Sequence, residues 1–160
     1  MSDRFRIHEV ADADDLAAVR ILFEGYAGSL PVDLDYQDFA GELAGLPGKY
    51  ASPGGALLLA RDRDGAPLGC GALRPLDAGL CEMKRLFLLP EARGSGLGRA
   101  LAEAIIAAAR ARGYRELRLD TLPSMASAHA LYESMGFVRI EPYYAPTPPG
   151  TVFMALRLAP

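Results

Sequence analysis

The stretch from Leu80 to Asp120 constrains the fold more than any other part of the chain. It reads as a strand over Leu80 to Leu89, a glycine-rich turn, a long helix from about Gly96 to Gly113, and a short strand over Glu116 to Asp120. A strand that reaches the next one through a helix runs parallel to it, because an antiparallel neighbour needs only a tight turn. Leu97, Ala100, Leu101, Ala104, Ile105 and Ala108 share one stripe at helical spacing, so this helix covers a sheet.

The flanking segments extend that sheet. Phe5 to Val10 alternates as a first strand, and Asp12 or Asp14 caps a helix to about Tyr26, broken by Gly28-Ser29-Leu30-Pro31. A shorter helix starts at Asp35, passes Phe39 and Leu43, and stops at Pro47-Gly48. Ala56 to Arg61 and Ala66 to Leu73 form a hairpin about the turn Arg61-Asp62-Arg63-Asp64-Gly65, and Asp77-Ala78-Gly79 turns into the central strand. Ser124 caps a helix that ends at Gly136, and Phe137 to Glu141 and Val152 to Leu158 are the last strands. The order β-α-α-β-β-β-α-β-α-β-β predicts an α/β (α+β) fold, a mixed sheet of about seven strands flanked by about four helices.

Length and composition narrow the classes. A chain of 160 residues reads as one domain over 1–160, since two would leave about 80 residues each. Hydrophobic residues make up 51% and charged residues 23%, which excludes a disordered tail. No apolar run approaches the ~18 residues of a membrane span, and Met1 to Arg6 lacks the apolar core of a secretory signal, so the expected location is the cytoplasm, with no membrane partner. Two cysteines, Cys70 and Cys81, and two distant histidines supply no metal-ligand spacing, so no metal is expected.

Charge is unevenly spread. Residues 1–80 carry 13 acidic and 7 basic side chains, whereas residues 81–160 carry 7 acidic and 10 basic. An acidic protein with one basic segment, from Lys84 to Arg118, fits a small anionic ligand better than nucleic acid. That segment contains Pro90-Glu91-Ala92-Arg93-Gly94-Ser95-Gly96-Leu97-Gly98-Arg99, between a strand end and a helix start. Alternating glycines bend the backbone tightly and leave N–H groups uncovered, and the helix dipole favours an anion there. Arg93 and Arg99 add permanent positive charge suited to phosphate. No lysine follows the glycines as a P-loop requires. The dinucleotide pattern, with Asp120 as its acidic residue, fails where Arg99 takes the third small position.

Two segments at a matching separation carry a family resemblance. Arg93-Gly94-Ser95-Gly96-Leu97-Gly98 follows Leu86-Phe87-Leu88-Leu89-Pro90, and Ala128-His129-Ala130-Leu131-Tyr132-Glu133-Ser134-Met135-Gly136-Phe137 lies downstream. They match the Arg/Gln-x-x-Gly-x-Gly/Ala loop and the Ala-x-x-x-Tyr-x-x-x-Gly-Phe segment of the GNAT superfamily of acyl-CoA-dependent N-acyltransferases, which the chain resembles over roughly residues 4–158. The resemblance implies a GNAT-like fold with splayed central strands and acetyl-CoA as acyl donor. It places the coenzyme A pyrophosphate on the loop from Arg93 through Gly94, Ser95, Gly96, Leu97 and Gly98 to Arg99. Pantetheine would pair with the strand edge at Leu86, Phe87 and Leu88. Met125 stands where many members carry Asn.

The catalytic candidates are Tyr132 and Glu82. By resemblance Tyr132 is the general acid at the coenzyme sulfur; taken alone it reads as a core aromatic with its hydroxyl at the edge. Glu82 among Leu80, Cys81 and Met83 would be desolvated and its pKa raised toward base strength, and it aligns with a strand glutamate that some members use as base through a water. A structural ion pair with Lys84, Arg85 or another arginine is the competing reading of Glu82. Strand alternation puts Glu82, Lys84, Leu86 and Leu88 on one face and Cys81, Met83, Arg85 and Phe87 on the other. The resemblance also implies an acceptor site between the first two helices and the last loop, implicating Tyr26, Phe39, Tyr143 and Tyr144. The expected function is transfer of an acetyl group from acetyl-CoA to a primary amine, on a small molecule or a peptide, by direct attack. A non-catalytic acyl-CoA-binding regulatory module is the alternative, and whether the chain acts alone or as a homodimer stays open.

Overall fold

Asp12 is in extended backbone and its side chain accepts from Asp15 N, which starts α1 at Ala13–Ser29. The structure, a computed structural model, describes residues 4–158, with Asp35 and Tyr36 by backbone alone. α1 runs through Gly28, where a break was expected, because it ends only when Leu30 turns extended ahead of Pro31. The expected second helix is instead a 3-10 turn at Leu34–Gln37 followed by the six-residue α2, Phe39–Ala44. Asp38 between them takes φ 54°, which interrupts the helical path.

The sheet has β1 at Phe5–Glu9, β2 at Ala56–Asp62, β3 at Pro67–Asp77, β4 at Leu80–Leu88, β5 at Glu116–Thr121, β6 at Val138–Ile140 and β7 at Val152–Arg157. Their order across the sheet is β1-β2-β3-β4-β5-β7-β6. α3, Leu97–Ala111, crosses from β4 to β5, and α4, Ala126–Ser134, links β5 to β6. The β4–β5 pair is parallel, as the crossover requires, and every other pair is antiparallel. The parallel pairing covers only Leu80–Glu82 against Glu116–Arg118, after which the two strands diverge.

Two apolar layers sandwich the sheet. Leu97, Leu101, Ala102, Ile105, Ile106 and Ala109 of α3 are buried on one side. The buried stripe is therefore broader than the expected one and shifted toward Ala102, Ile106 and Ala109, with Ala104 and Ala108 partly buried at its edge. On the other side Val19, Leu22 and Phe23 of α1 pack with Leu59, Cys70 and Phe87. Gly71 lets α3 approach closely: a Cβ there would lie 2.6 Å from Ile105 Cδ1.

β4 does not alternate as expected. Between the pairs Ala72↔Lys84 and Cys70↔Phe87 it holds one residue more than β3, and Arg85 takes φ 62°. This β-bulge reverses the parity of the strand. Cys81, Met83, Leu86 and Leu88 pack with the α3 side, while Phe87 packs with α1. Lys84 and Arg85 both reach Gln37, so two consecutive residues point to the α1–α2 side. α4 also starts differently from expectation. Met125, not Ser124, is its cap position, and no side chain caps it.

Candidate active site

Where β4 and β5 separate, a cleft opens, lined by Tyr26, Met83, Lys84, Arg85, Leu86, Leu119, Asp120, Thr121, Met125 and Tyr132. A groove runs from it along the β4 edge to the glycine loop, past Leu86, Phe87, Leu88, Arg93, Gly94, Gly98, Ala128 and Leu131. Tyr26, Leu86, Met125 and Tyr132 belong to both. A ligand lying in the groove would thus present one end to the cleft at Tyr132.

The loop residues play unequal parts. Gly94 and Gly96 have φ 79° and 87°, and a Cβ at either would meet open space. Gly96 is the cap position of α3 with no side-chain cap, so the first N–H groups of the helix face the groove end unmasked. Arg93 reaches back to Leu88 O, and Ser95 Oγ donates to Ala92 O at 2.5 Å. Leu97 is fully buried and can offer only its backbone. Arg99 is turned away to α4, where Nη2 donates to Ser134 Oγ at 2.6 Å.

The loop's role makes a specific prediction. Gly96→Asp is expected to fold, since an Asp is a good helix cap, at about 1 kcal/mol for the left-handed backbone. A second negative charge against a pyrophosphate costs about 1–4 kcal/mol at roughly 4 Å, so coenzyme A affinity should fall about tenfold or more. Gly96→Asn, equal in size and uncharged, should lose much less. Equal Kd values for the two variants by calorimetry would place the phosphate elsewhere.

Tyr132 is 6% exposed and tilts against Phe137 at 5.5 Å. Burial, with Tyr26 and Asp120 adding negative potential, pushes its phenol well above the usual value. It stays protonated at neutral pH, as a proton donor must. Thr121 is 4% exposed, and its Oγ1 in the cleft has no hydrogen-bond partner among the described residues. A buried hydroxyl without a partner is costly. An amide-bearing chain such as pantetheine between the strands would offer it a partner, on the side where Met125 replaces Asn. The groove, the uncapped helix end and this hydroxyl together fit coenzyme A.

The polar side of the cleft was only partly foreseen. Glu82 is 1% exposed, with Oε1 accepting from Arg74 Nε at 2.8 Å and Oε2 from Tyr143 OH at 2.5 Å. Burial pushes its carboxyl up, but Lys84, the Tyr143 hydroxyl and Arg74 outweigh burial and hold it below the usual range. The expected rise is thus reversed, and both oxygens are engaged. Arg85, 3% exposed, makes a two-pronged bond to Glu42, Nε to Oε2 at 2.9 Å and Nη2 to Oε1 at 2.8 Å. Its guanidinium also lies over the rings of Tyr26 and Phe39, at 5.6 and 5.3 Å.

Gln37 links the two halves. Its Oε1 accepts from Arg85 Nη1 at 2.7 Å and Lys84 Nζ at 3.1 Å, while Nε2 donates to Tyr144 OH at 3.0 Å. Tyr144 OH in turn donates to Asp120 Oδ2. Of the acceptor candidates, Tyr26 lines the cleft, Tyr144 borders it through Asp120, Tyr143 holds Glu82, and Phe39 reaches the site only through Arg85. Gln37, Glu42, Asp120 and Thr121 were missed in these roles. The adjacent charges Lys84-Arg85 in an apolar strand were the one available signal of the bulge. Cys70 and Cys81 are buried, and burial pushes the Cys81 thiol up to about 12, so neither is an activated nucleophile.

A seven-stranded mixed sheet with splayed central strands, a crossover loop of glycines and a tyrosine at the splay defines a coenzyme A-dependent acyltransferase architecture. Residues 20–137 match the Acetyltransferase (GNAT) family model, and the chain belongs to that family. It is 41% identical over 146 residues to an uncharacterized N-acetyltransferase of Schizosaccharomyces pombe, covering 91% of this chain and 90% of the relative. A GNAT-family acetyltransferase from Staphylococcus aureus superposes with a TM-score of 0.80 at 20% identity, covering 97% of this chain and 99% of the other. Salmonella typhimurium yncA, solved with its cofactor acetyl-CoA, superposes with a TM-score of 0.70 at 22% identity, covering 98% and 95%. Among the described residues no helix is long and apolar enough to cross a membrane.

Proposed function

We propose that the chain transfers an acetyl group from acetyl-CoA to a primary amine of a small molecule or a peptide, by direct attack of the amine on the thioester. The observation that carries this reading is the junction of groove and cleft at Tyr132, which lines both, so that a donor in the groove and an acceptor in the cleft would meet at one buried hydroxyl. Leu86 to Leu88 offer an unpaired strand edge to pantetheine, and the loop from Arg93 to Gly98 offers N–H groups to the pyrophosphate. Tyr132 gives its proton to the departing sulfur. Glu82 holds Tyr143 against Phe153, where the two rings stand edge to face at 5.1 Å, and so positions the last loop over the acceptor side. Amines enter between α1 and that loop, past Tyr26 and Tyr144.

The test has two parts. Calorimetry should show coenzyme A binding and no binding of NAD. Acetyl-CoA with a panel of amines, comprising a polyamine, an amino acid, an amino alcohol and a short peptide, should release thiol with at least one member. Coenzyme A binding without turnover on any amine would favour a non-catalytic acyl-CoA-binding module.

A further inference from the structure

Direct attack needs an amine without its proton, and an aliphatic ammonium has a pKa near that of lysine, ~10.4. Some group at the cleft has to take that proton at neutral pH. Two carboxylates lie near the splay, and they differ in every property that matters. Glu82 does not line the cleft, is 1% exposed, and has both oxygens bound by Arg74 and Tyr143. Asp120 lines the cleft, is half-buried, and among the described residues accepts a hydrogen bond only at Oδ2, from Tyr144. Its Oδ1 is left for a ligand. We propose that Asp120 is the proton acceptor for the incoming amine, an inference that rests on the acetyltransferase reading of this cleft.

The placement is suited to the task. β5 carries Asp120 into the cleft across the splay from Lys84 and Arg85, so an ammonium beside it would meet a carboxylate whose Oδ1 has no partner among the described residues. The acidity is suited as well. Burial raises the Asp120 carboxyl, and Lys84 and the Tyr144 hydroxyl only partly offset this. A carboxylate raised above its ordinary value is a better base than one held down like Glu82. The groups facing Asp120 are Glu82, Lys84 and Arg85 from β4, Tyr26 from α1, Tyr132 from α4, and Tyr143 and Tyr144 from the last loop.

The step balances as follows. Asp120 takes one proton from the acceptor ammonium. The freed nitrogen pair forms the N–C bond to the thioester carbonyl carbon, and the C–S bond breaks with its electrons on sulfur. Tyr132 gives its hydroxyl proton to that sulfur and takes back the second nitrogen proton, leaving amide and thiol. Asp120 then releases its proton to water.

The experiment compares wild type, Asp120→Asn, Asp120→Glu and Glu82→Gln. The best amine of the panel serves as acceptor, coenzyme A Kd is measured by calorimetry, and carboxyl signals are followed by carbon-13 NMR on Asp-labelled apo protein. Wild-type kcat/KM should fall toward acid pH along a limb whose midpoint equals that of the NMR signal missing in Asp120→Asn, above the ~3.9 of an ordinary aspartate. Asp120→Asn should lose about 10²–10⁴-fold, keep its coenzyme A Kd, and rise with pH as the free amine does. Its Tm at neutral pH should not fall, because burial already disfavours the charged form. Asp120→Glu should recover part of the rate, and Glu82→Gln should keep the acid limb. Full turnover with an unshifted limb in Asp120→Asn overturns the inference and leaves the acetyltransferase reading standing, as does loss of the limb in Glu82→Gln alone. Failure of the wild type to bind coenzyme A overturns both.

Discussion

Tyr132→Phe lowers kcat by about 10²–10⁴-fold and leaves the coenzyme A Kd nearly unchanged, if Tyr132 protonates the leaving sulfur. The hydroxyl would matter where negative charge develops on sulfur and little in the ground state, so its removal appears in kcat. The substitution keeps the ring and its packing on Phe137, so no cavity confuses the result. Because burial raises the phenol, wild-type activity should show no loss through the alkaline range where a free tyrosine, near 10, would ionise. Stopped-flow thiol release and equilibrium binding check both halves. Full turnover in Tyr132→Phe would reduce Tyr132 to a packing residue.

Arg85→Met lowers the free energy of unfolding by about 3–5 kcal/mol, the usual cost of stripping one partner from a buried ion pair. Methionine keeps much of the apolar stem between Tyr26 and Phe39, but Glu42 is left desolvated without its cation. For a chain of this size the loss corresponds to a fall in Tm of roughly 6–20 °C. The pH dependence fixes the cause. In the wild type, burial raises the Glu42 carboxyl, but the bonds and charge of Arg85, with Tyr50 and Lys49 helping, lower it further than burial lifts it. The pair's contribution is then present above the unfolded glutamate value of ~4.3 and is lost as pH falls through the lower folded value. In Arg85→Met only Tyr50 and Lys49 still oppose burial, so the folded value rises and the loss of stability on acidification seen in the wild type should shrink or reverse. Adding Glu42→Gln should recover part of the loss at neutral pH. A deficit independent of pH, measured by urea unfolding, would assign the effect to packing.

The parts of the site legible in sequence were those written in local signals. Gly94 and Gly96 mark a loop because no other residue takes their left-handed turns cheaply, and Tyr132 lies within one contiguous segment whose match to the family implies its role, helical spacing alone giving a core aromatic. The crossover helix alone requires the parallel pair. What escaped was long-range or one residue wide. Arg85 and Glu42 are 43 positions apart, and nothing local says that they meet. The bulge adds one residue to β4, which inverts the facing of everything after it, so a correct strand was read with Leu86 and Leu88 on the wrong side. Asp120 was seen only as a candidate ribose ligand, because its environment is assembled by the 3-10 turn at Leu34–Gln37 and the last loop, both irregular. Ser124 looked like a cap by residue type, but the backbone placed Met125 there.

The brief seam between β4 and β5 makes the sheet two plates whose strands pair at one corner and whose side chains bridge the mouth through Gln37 and Tyr143. One plate carries Lys84 and Arg85; the other carries Asp120 and Thr121, with Tyr144 attached to it through Phe153. The distance across the mouth is then set by the angle between plates together with those bridges, as the opening of a pair of tongs is set at its pivot and its catch. Substitutions packed around Leu80–Glu82 and Glu116–Arg118, remote from the mouth, act with a long lever. Acceptor size can thus be retuned from the pivot without altering a residue that meets the acceptor.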